Sequence, residues 1–127
     1  MTAPLVTAIT LHRASQVLEV AFDDGTSYRL SAEYLRTHSP SAEVQGHGPG
    51  QRVLVYGRRY IRIMAVEPVG NYAVLLRFDD GHASGIFSWS VLHELSRDHD
   101  RNWQAYLAAL DEAGLSREPG VKPGKPR

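Results

Sequence analysis

Polar and apolar residues alternate along much of this chain with the period of a strand. Leu18, Val20 and Phe22 are spaced by Glu19 and Ala21, and Val74, Leu76 and Phe78 repeat the spacing further on. A period of two puts such residues on one face of a sheet. Both runs end in Phe-Asp-Asp-Gly, at Asp23-Asp24-Gly25 and Asp79-Asp80-Gly81. The Asp-Gly pair favours the positive φ of a tight hairpin turn. After each second strand stands a serine, Ser31 or Ser88, placed to cap a short helical segment, AEYLR or WSVLHEL. Two further strands precede these units. AITLHR pairs with SQVLEV through a turn at Ser15, and RRYIRIMAVEPVG alternates Ile61, Ile63 and Ala65 against Arg62 and Met64.

The period changes to helical near the end. Trp103, Tyr106, Leu107 and Leu110 stand at i, i+3, i+4 and i+7, with Asp98 or Asp100 as the cap and Gly114 as the stop. The pattern predicts an α+β fold: a small, mostly antiparallel sheet built from two β-hairpin-helix units, with a C-terminal amphipathic helix. Residues 1–7 are expected to be a flexible N-terminus, 8–115 one domain, and 116–127 a disordered basic tail rich in proline and glycine.

Composition narrows the chemistry. The 127 residues carry 14 Lys+Arg against 14 Asp+Glu, so no general basic excess marks a nucleic-acid or membrane surface. The cations of YGRRYIR are too few to change that. No cysteine is present, which removes disulfides, thiolate catalysis and cysteine-held metal. With no apolar run long enough to span a bilayer and no signal-peptide pattern, a cytoplasmic protein is expected.

Catalytic motifs are not found. The serines lack a nucleophile elbow, GHGPG lacks the phosphate-loop lysine, and the two Asp-Asp pairs read as hairpin turns. Six histidines are available, but the interval between His93 and His99 places their rings on different faces of a helix. His12, His93 and His99 read as exposed or capping residues. The aromatic group Phe87, Trp89, Trp103 and Tyr106 reads as core, with an interaction face open to whichever is exposed.

The stretches LRTHSPSAEVQGHGPGQ, IRIMAVEPVGNYAVLLRFDDGHASGIFSW and SVLHEL together resemble the domain at the N-terminus of γ-butyrobetaine hydroxylase, and more closely its stand-alone bacterial relatives. The resemblance covers about residues 8 to 113. In the hydroxylase, the resemblance implies, the first stretch carries three cysteines that bind a structural zinc with a histidine of the later hairpin. Those positions here are Ser39, Ser41, Val44 and His82, so three of four ligands are replaced by residues that do not suit zinc. The catalytic barrel of the hydroxylase is absent, and its activity is not implied. A related domain occurs fused to P-loop ATPases that carry iron–sulfur clusters, which implies an adaptor beside cluster assembly.

The expectation is therefore a non-enzymatic accessory module that binds a protein partner in iron–sulfur or metal-cofactor maturation, the partner being an iron–sulfur carrier P-loop ATPase. Its expected surface is the loop of His38, Ser39, Ser41, Glu43, Gln45 and His47 with the facing Asp80 and His82. No catalytic residue and no cofactor are expected. Two alternatives stand beside it: a protein holding iron or zinc through His38, His47 and His82, and a regulatory or dimerising subunit of a separate 2-oxoglutarate oxygenase. Homodimers through an exposed edge strand also remain open, with no membrane partner and no nucleic acid.

Overall fold

The computed structural model describes residues 4–40, 54–81 and 85–119. Strands β1 (Val6–His12), β2 (Val17–Phe22) and β3 (Ser27–Ser31) form one antiparallel sheet in that order, followed by helix α1 (Ala32–Thr37). Strands β4 (Ile63–Val69), β5 (Ala73–Phe78) and β6 (Gly85–Ser88) form a second, followed by α2 (Trp89–Arg97) and α3 (His99–Ala113). The α+β class holds, and the antiparallel strands divide into two sheets of three.

The two sheets bury their alternating apolar faces together. Leu18, Val20, Phe22 and Leu30 of the first meet Ile63, Val74, Leu76, Phe78 and Phe87 of the second in one cluster, closed by Tyr34, Leu35 and Leu92 from the helices. Both Asp-Gly turns form as expected. Gly25 and Gly81 stand at φ +88° and +87°, a region closed to most side chains, and each N–H donates to the carbonyl of the phenylalanine three residues back. Ser31 and Ser88 cap their helices, accepting from the N–H of Tyr34 and of Val91. Gly114, in the left-handed region, ends α3.

The hairpin-helix units extend to β-β-β-α repeats, 5–37 and 62–97. Asp23 bonds both backbone groups of Leu5, and Asp79 does the same to Arg62. The Ala32 N–H donates to the Gln16 carbonyl at 2.9 Å, and the Trp89 N–H to the Tyr72 carbonyl at 3.0 Å. Each first strand has a bulge at the same place, between Val6 and Ala8 and between Ile63 and Ala65.

Both terminal boundaries drawn from composition shift. Within the expected flexible N-terminus, Val6 already pairs with Phe22. The tail expected from 116 begins with a docked strap. Gly57 and Arg59 donate their N–H groups to the carbonyls of Ser116 and Arg117, and Glu118 pairs with Arg59 at 2.7 Å. Residues 120–127 lie outside the described residues.

Candidate functional site

Helix α1 is short and carries no exposed face, since all six of its residues are buried. A helix of this length has little stability of its own and is held by what surrounds it. Arg36, its side chain 2 % exposed, donates from Nε to Oδ2 of Asp80 at 2.9 Å, and Arg58 donates to the same oxygen at 2.8 Å. Asp80 thus ties the end of α1 to the β5–β6 turn and to the segment before β4. Glu33, on the same helix, takes a two-pronged contact from Arg117 of the strap at 2.8 and 2.7 Å. The guanidinium of Arg117 also lies 5.2 Å over the ring of Trp103. Its hydrogen bonds to Glu33 raise the Arg117 pKa, outweighing partial burial.

His38 closes α1. Its backbone N–H and its ring Nδ1 both lie 3.0 Å from the Tyr34 carbonyl, and Thr37 Oγ1 is 3.1 Å from Nδ1. The ring packs against Tyr34 at 4.5 Å and Tyr106 at 5.8 Å between centroids. Beyond it, Thr37, His38, Val55, Asn102 and Tyr106 line a cavity of about 330 Å³. The phenols in this region have structural partners. Tyr34 donates to the Leu95 carbonyl at 2.6 Å and accepts from Asn102, and Tyr106 donates to the Val55 carbonyl at 2.7 Å. Burial raises the pKa of both, and that of Tyr106 is pushed up to about 12. Neither phenol is set up to act as a base.

Of the surface expected from sequence, the described residues include His38, Ser39 and Asp80. Ser41, Glu43, Gln45, His47 and His82 lie outside them. Ser39 is fully buried, so it fills space within the protein and does not present its hydroxyl to a partner. A Cβ added to Gly85 would lie 2.5 Å from Ser39 Oγ, so the start of the loop sits directly on β6. Asp80 reaches the end of α1 through Arg36. Among the described residues no group of three His, Asp or Glu converges as a metal cluster would. The donor set also does not fit the hydroxylase zinc: its first position is a buried serine hydroxyl, and valine occupies another.

The remaining sequence candidates have local roles. His12 bonds Glu19 at 2.8 Å, which lowers the Glu19 pKa. His93 packs edge-on against Phe22, and His99 lies beside Tyr34 and Asp100. None of Phe87, Trp89, Trp103 and Tyr106 is exposed; Tyr60 and Tyr72 are, at 65 % and 57 %. Two cations of YGRRYIR, Arg58 and Arg59, are neutralised by Asp80 and Glu118.

The family model for γ-butyrobetaine hydroxylase-like N-terminal domains matches residues 9–93, which is more than half of the chain. The chain belongs to that family. Its fold recurs in a protein solved by NMR in solution that is 48 % identical, with a TM-score of 0.82 and 98 % of each chain covered. A second NMR structure is 46 % identical, with a TM-score of 0.79, covering all of this chain and 98 % of its own. A crystal structure from Acidithiobacillus ferrooxidans, of a DUF971 family protein with unknown function, is 37 % identical at a TM-score of 0.62. That match covers 72 % of this chain and 92 % of the other. No curated protein matches. As to membranes, no helix among the described residues is long and apolar enough to cross one.

What sequence reasoning missed is the outer face of the second sheet. Glu67, Leu75 and Ile86 stand side by side across β4, β5 and β6, with Ala65 and Arg77 in the next row. Ile86 is 49 % exposed, and Met64 in the β4 bulge 54 %. The signal was present in LLRF, where Leu75 is apolar at a position the alternation assigns to solvent.

Proposed function

We propose that the chain is a non-enzymatic accessory module that binds a protein partner, acting beside iron–sulfur or metal-cofactor maturation. The observation that carries the binding reading is the apolar outer face at Leu75 and Ile86. Alternating strands of a solvated sheet put polar residues outward, and the adjacent apolar pair Leu75 and Ile86, beside the Glu67–Arg77 ion pair, supports a surface that another molecule covers. The face ends at the β5–β6 turn, where Asp80 secures the root of the loop, so it adjoins the surface expected from sequence. Support for the maturation context comes from the family resemblance alone.

A photo-crosslinking residue at position 86, compared with one at the exposed Gln104 on α3, tests the binding reading in the native cell. A discrete adduct from position 86 only, lost on adding Leu75→Glu, is the expected result. Equal adducts from both positions, or none from 86, would refute it. Titration calorimetry with a purified iron–sulfur carrier P-loop ATPase tests the maturation context separately.

One observation favours a second reading, iron or zinc binding through His38, His47 and His82. The Nδ1 contact of His38 with the Tyr34 carbonyl fixes the ring in the way that orients ligating imidazoles, directing ligation to Nε2. Elemental analysis of untagged protein decides it: near-stoichiometric metal lost in His82→Ala supports the site, and background metal removes it.

A further inference from the structure

Strands β1 and β4 are the edges of their sheets on the same side of the molecule, and between them runs an apolar groove. Val6, Ile9, Leu11, Val66, Val74 and Trp89 contribute to its lining, and its volume is about 490 Å³. The two edges are equivalent in the repeat and are guarded differently. An open edge offers unpaired backbone groups to any passing strand, and proteins blunt it with proline, charge or a cover. On β4, Pro68 removes one donor and the Glu67–Arg77 ion pair stands on the outer face. β1 reads Val-Thr-Ala-Ile-Thr-Leu-His over seven residues, with no proline, lysine or acid.

We infer that β1 pairs with β1 of a second copy, antiparallel about a two-fold axis at Ile9, joining the two first sheets into one of six strands. A self-complementary interface of this kind is closed by its symmetry. Charge complementarity selects this occupant. Antiparallel pairing centred on Ile9 sets Ala8 opposite Thr10 of the other copy and carries Arg13 of each copy past the β1 bulge to the Leu5 end of the other. Leu5 is where Asp23 sits, bonded to both of its backbone groups. Neither Arg13 nor Asp23 forms an ion pair among the described residues, and the pairing brings them together twice across the axis. The same pairing places Ile9 and Leu11 of the second copy over the open groove. Leu5, 59 % exposed in the single chain, is covered at the ends.

The inference is independent of the partner-binding reading, which concerns the other sheet. Sedimentation velocity of the purified chain, from about 1 to 500 µM, tests it, because self-association follows mass action. The expected result is a species of twice the chain mass that weakens with salt. Ala8→Lys with Thr10→Lys sets lysine opposite lysine on exposed positions and should raise the dissociation constant at least tenfold, with the circular dichroism spectrum unchanged. Arg13→Glu alone should also weaken the dimer and reverse its salt dependence. A monomer throughout the range, or a dimer indifferent to the lysine pair and to Arg13→Glu, would overturn the inference.

Discussion

The contact between Ser39 and Gly85 carries the structural account of the loop's root, and it can be broken from either side. An alanine at 85 would place its Cβ 2.5 Å from Ser39 Oγ and 2.9 Å from a ring carbon of Phe87. Real Cβ contacts do not come so near, and neither neighbour has room to retreat, since both side chains are fully buried. Overpacking of this kind costs about 1–3 kcal/mol. For a domain of this size that is a fall of about 3–6 °C in Tm per kcal/mol. Ser39→Ala removes the nearer atom and by itself costs about 1 kcal/mol, the ordinary net contribution of a buried hydroxyl. The double variant should then be more stable than the sum of the two losses by at least 1 kcal/mol. Urea unfolding of the four proteins in one buffer measures this coupling. Additivity within about 0.5 kcal/mol, the range found for independent sites, would show that position 39 does not rest on β6 and would refute the packing argument.

Other consequences follow from the same contacts. Truncation after Leu115 removes Arg117 and takes its guanidinium from the buried carboxylate of Glu33. It should lower stability by about 2 kcal/mol, discounted because the arginine is one-third exposed, and Glu33→Gln should recover part of that loss in chemical denaturation. The Tyr106 pKa lies near 12 in the folded chain against 10.0 ordinarily, so its contribution is complete below pH 10 and is lost as pH rises from 10 towards 12. Denaturation midpoints should fall over that window and fall less steeply in Tyr106→Phe. Ser31→Ala and Ser88→Ala each remove a helix cap and should cost about 1 kcal/mol, read from thermal melts.

The parts of the fold that were legible in sequence are those whose causes are local. A strand's alternation, an Asp-Gly turn, a capping serine and the glycine after α3 each depend on residues within a few positions, and each formed where expected. Gln16 had no such signature. It lies at φ +55° and joins the two repeats, its carbonyl taking the Ala32 N–H and its Oε1 the Ile63 N–H at 2.6 Å. Nothing in a polar turn announces that role. The strap was hidden for a related reason: Ser-Arg-Glu-Pro has the composition of a tail, and its anchor, Glu33, lies 84 residues from Arg117. Arg36 is buried because its counter-charge, Asp80, arrives from the second repeat. Long-range pairs of this sort decide the site, and they leave no pattern in a window of sequence.

Comparison of the two repeats separates scaffold from specialisation. The reciprocal bond of the first turn aspartate, the helix-capping serine and the bulge in the first strand occur in both, which is what a folding requirement would preserve. The second turn aspartate differs. Asp24 turns back on its own loop, accepting from the backbone N–H and the hydroxyl of Thr26, and these bonds lower its pKa. Asp80, its counterpart, holds Arg36 and Arg58 and so fixes where the 38–51 loop leaves α1. The same substitution should therefore have unequal effects. Asp24→Asn keeps a turn-forming side chain on an exposed loop and should leave Tm unchanged within error. Asp80→Asn removes a charge shared by two guanidiniums, one of them buried, and should cost about 2–4 kcal/mol. If the two variants melt together, the clamp does not hold the loop's root, and the asymmetry between the repeats must arise elsewhere.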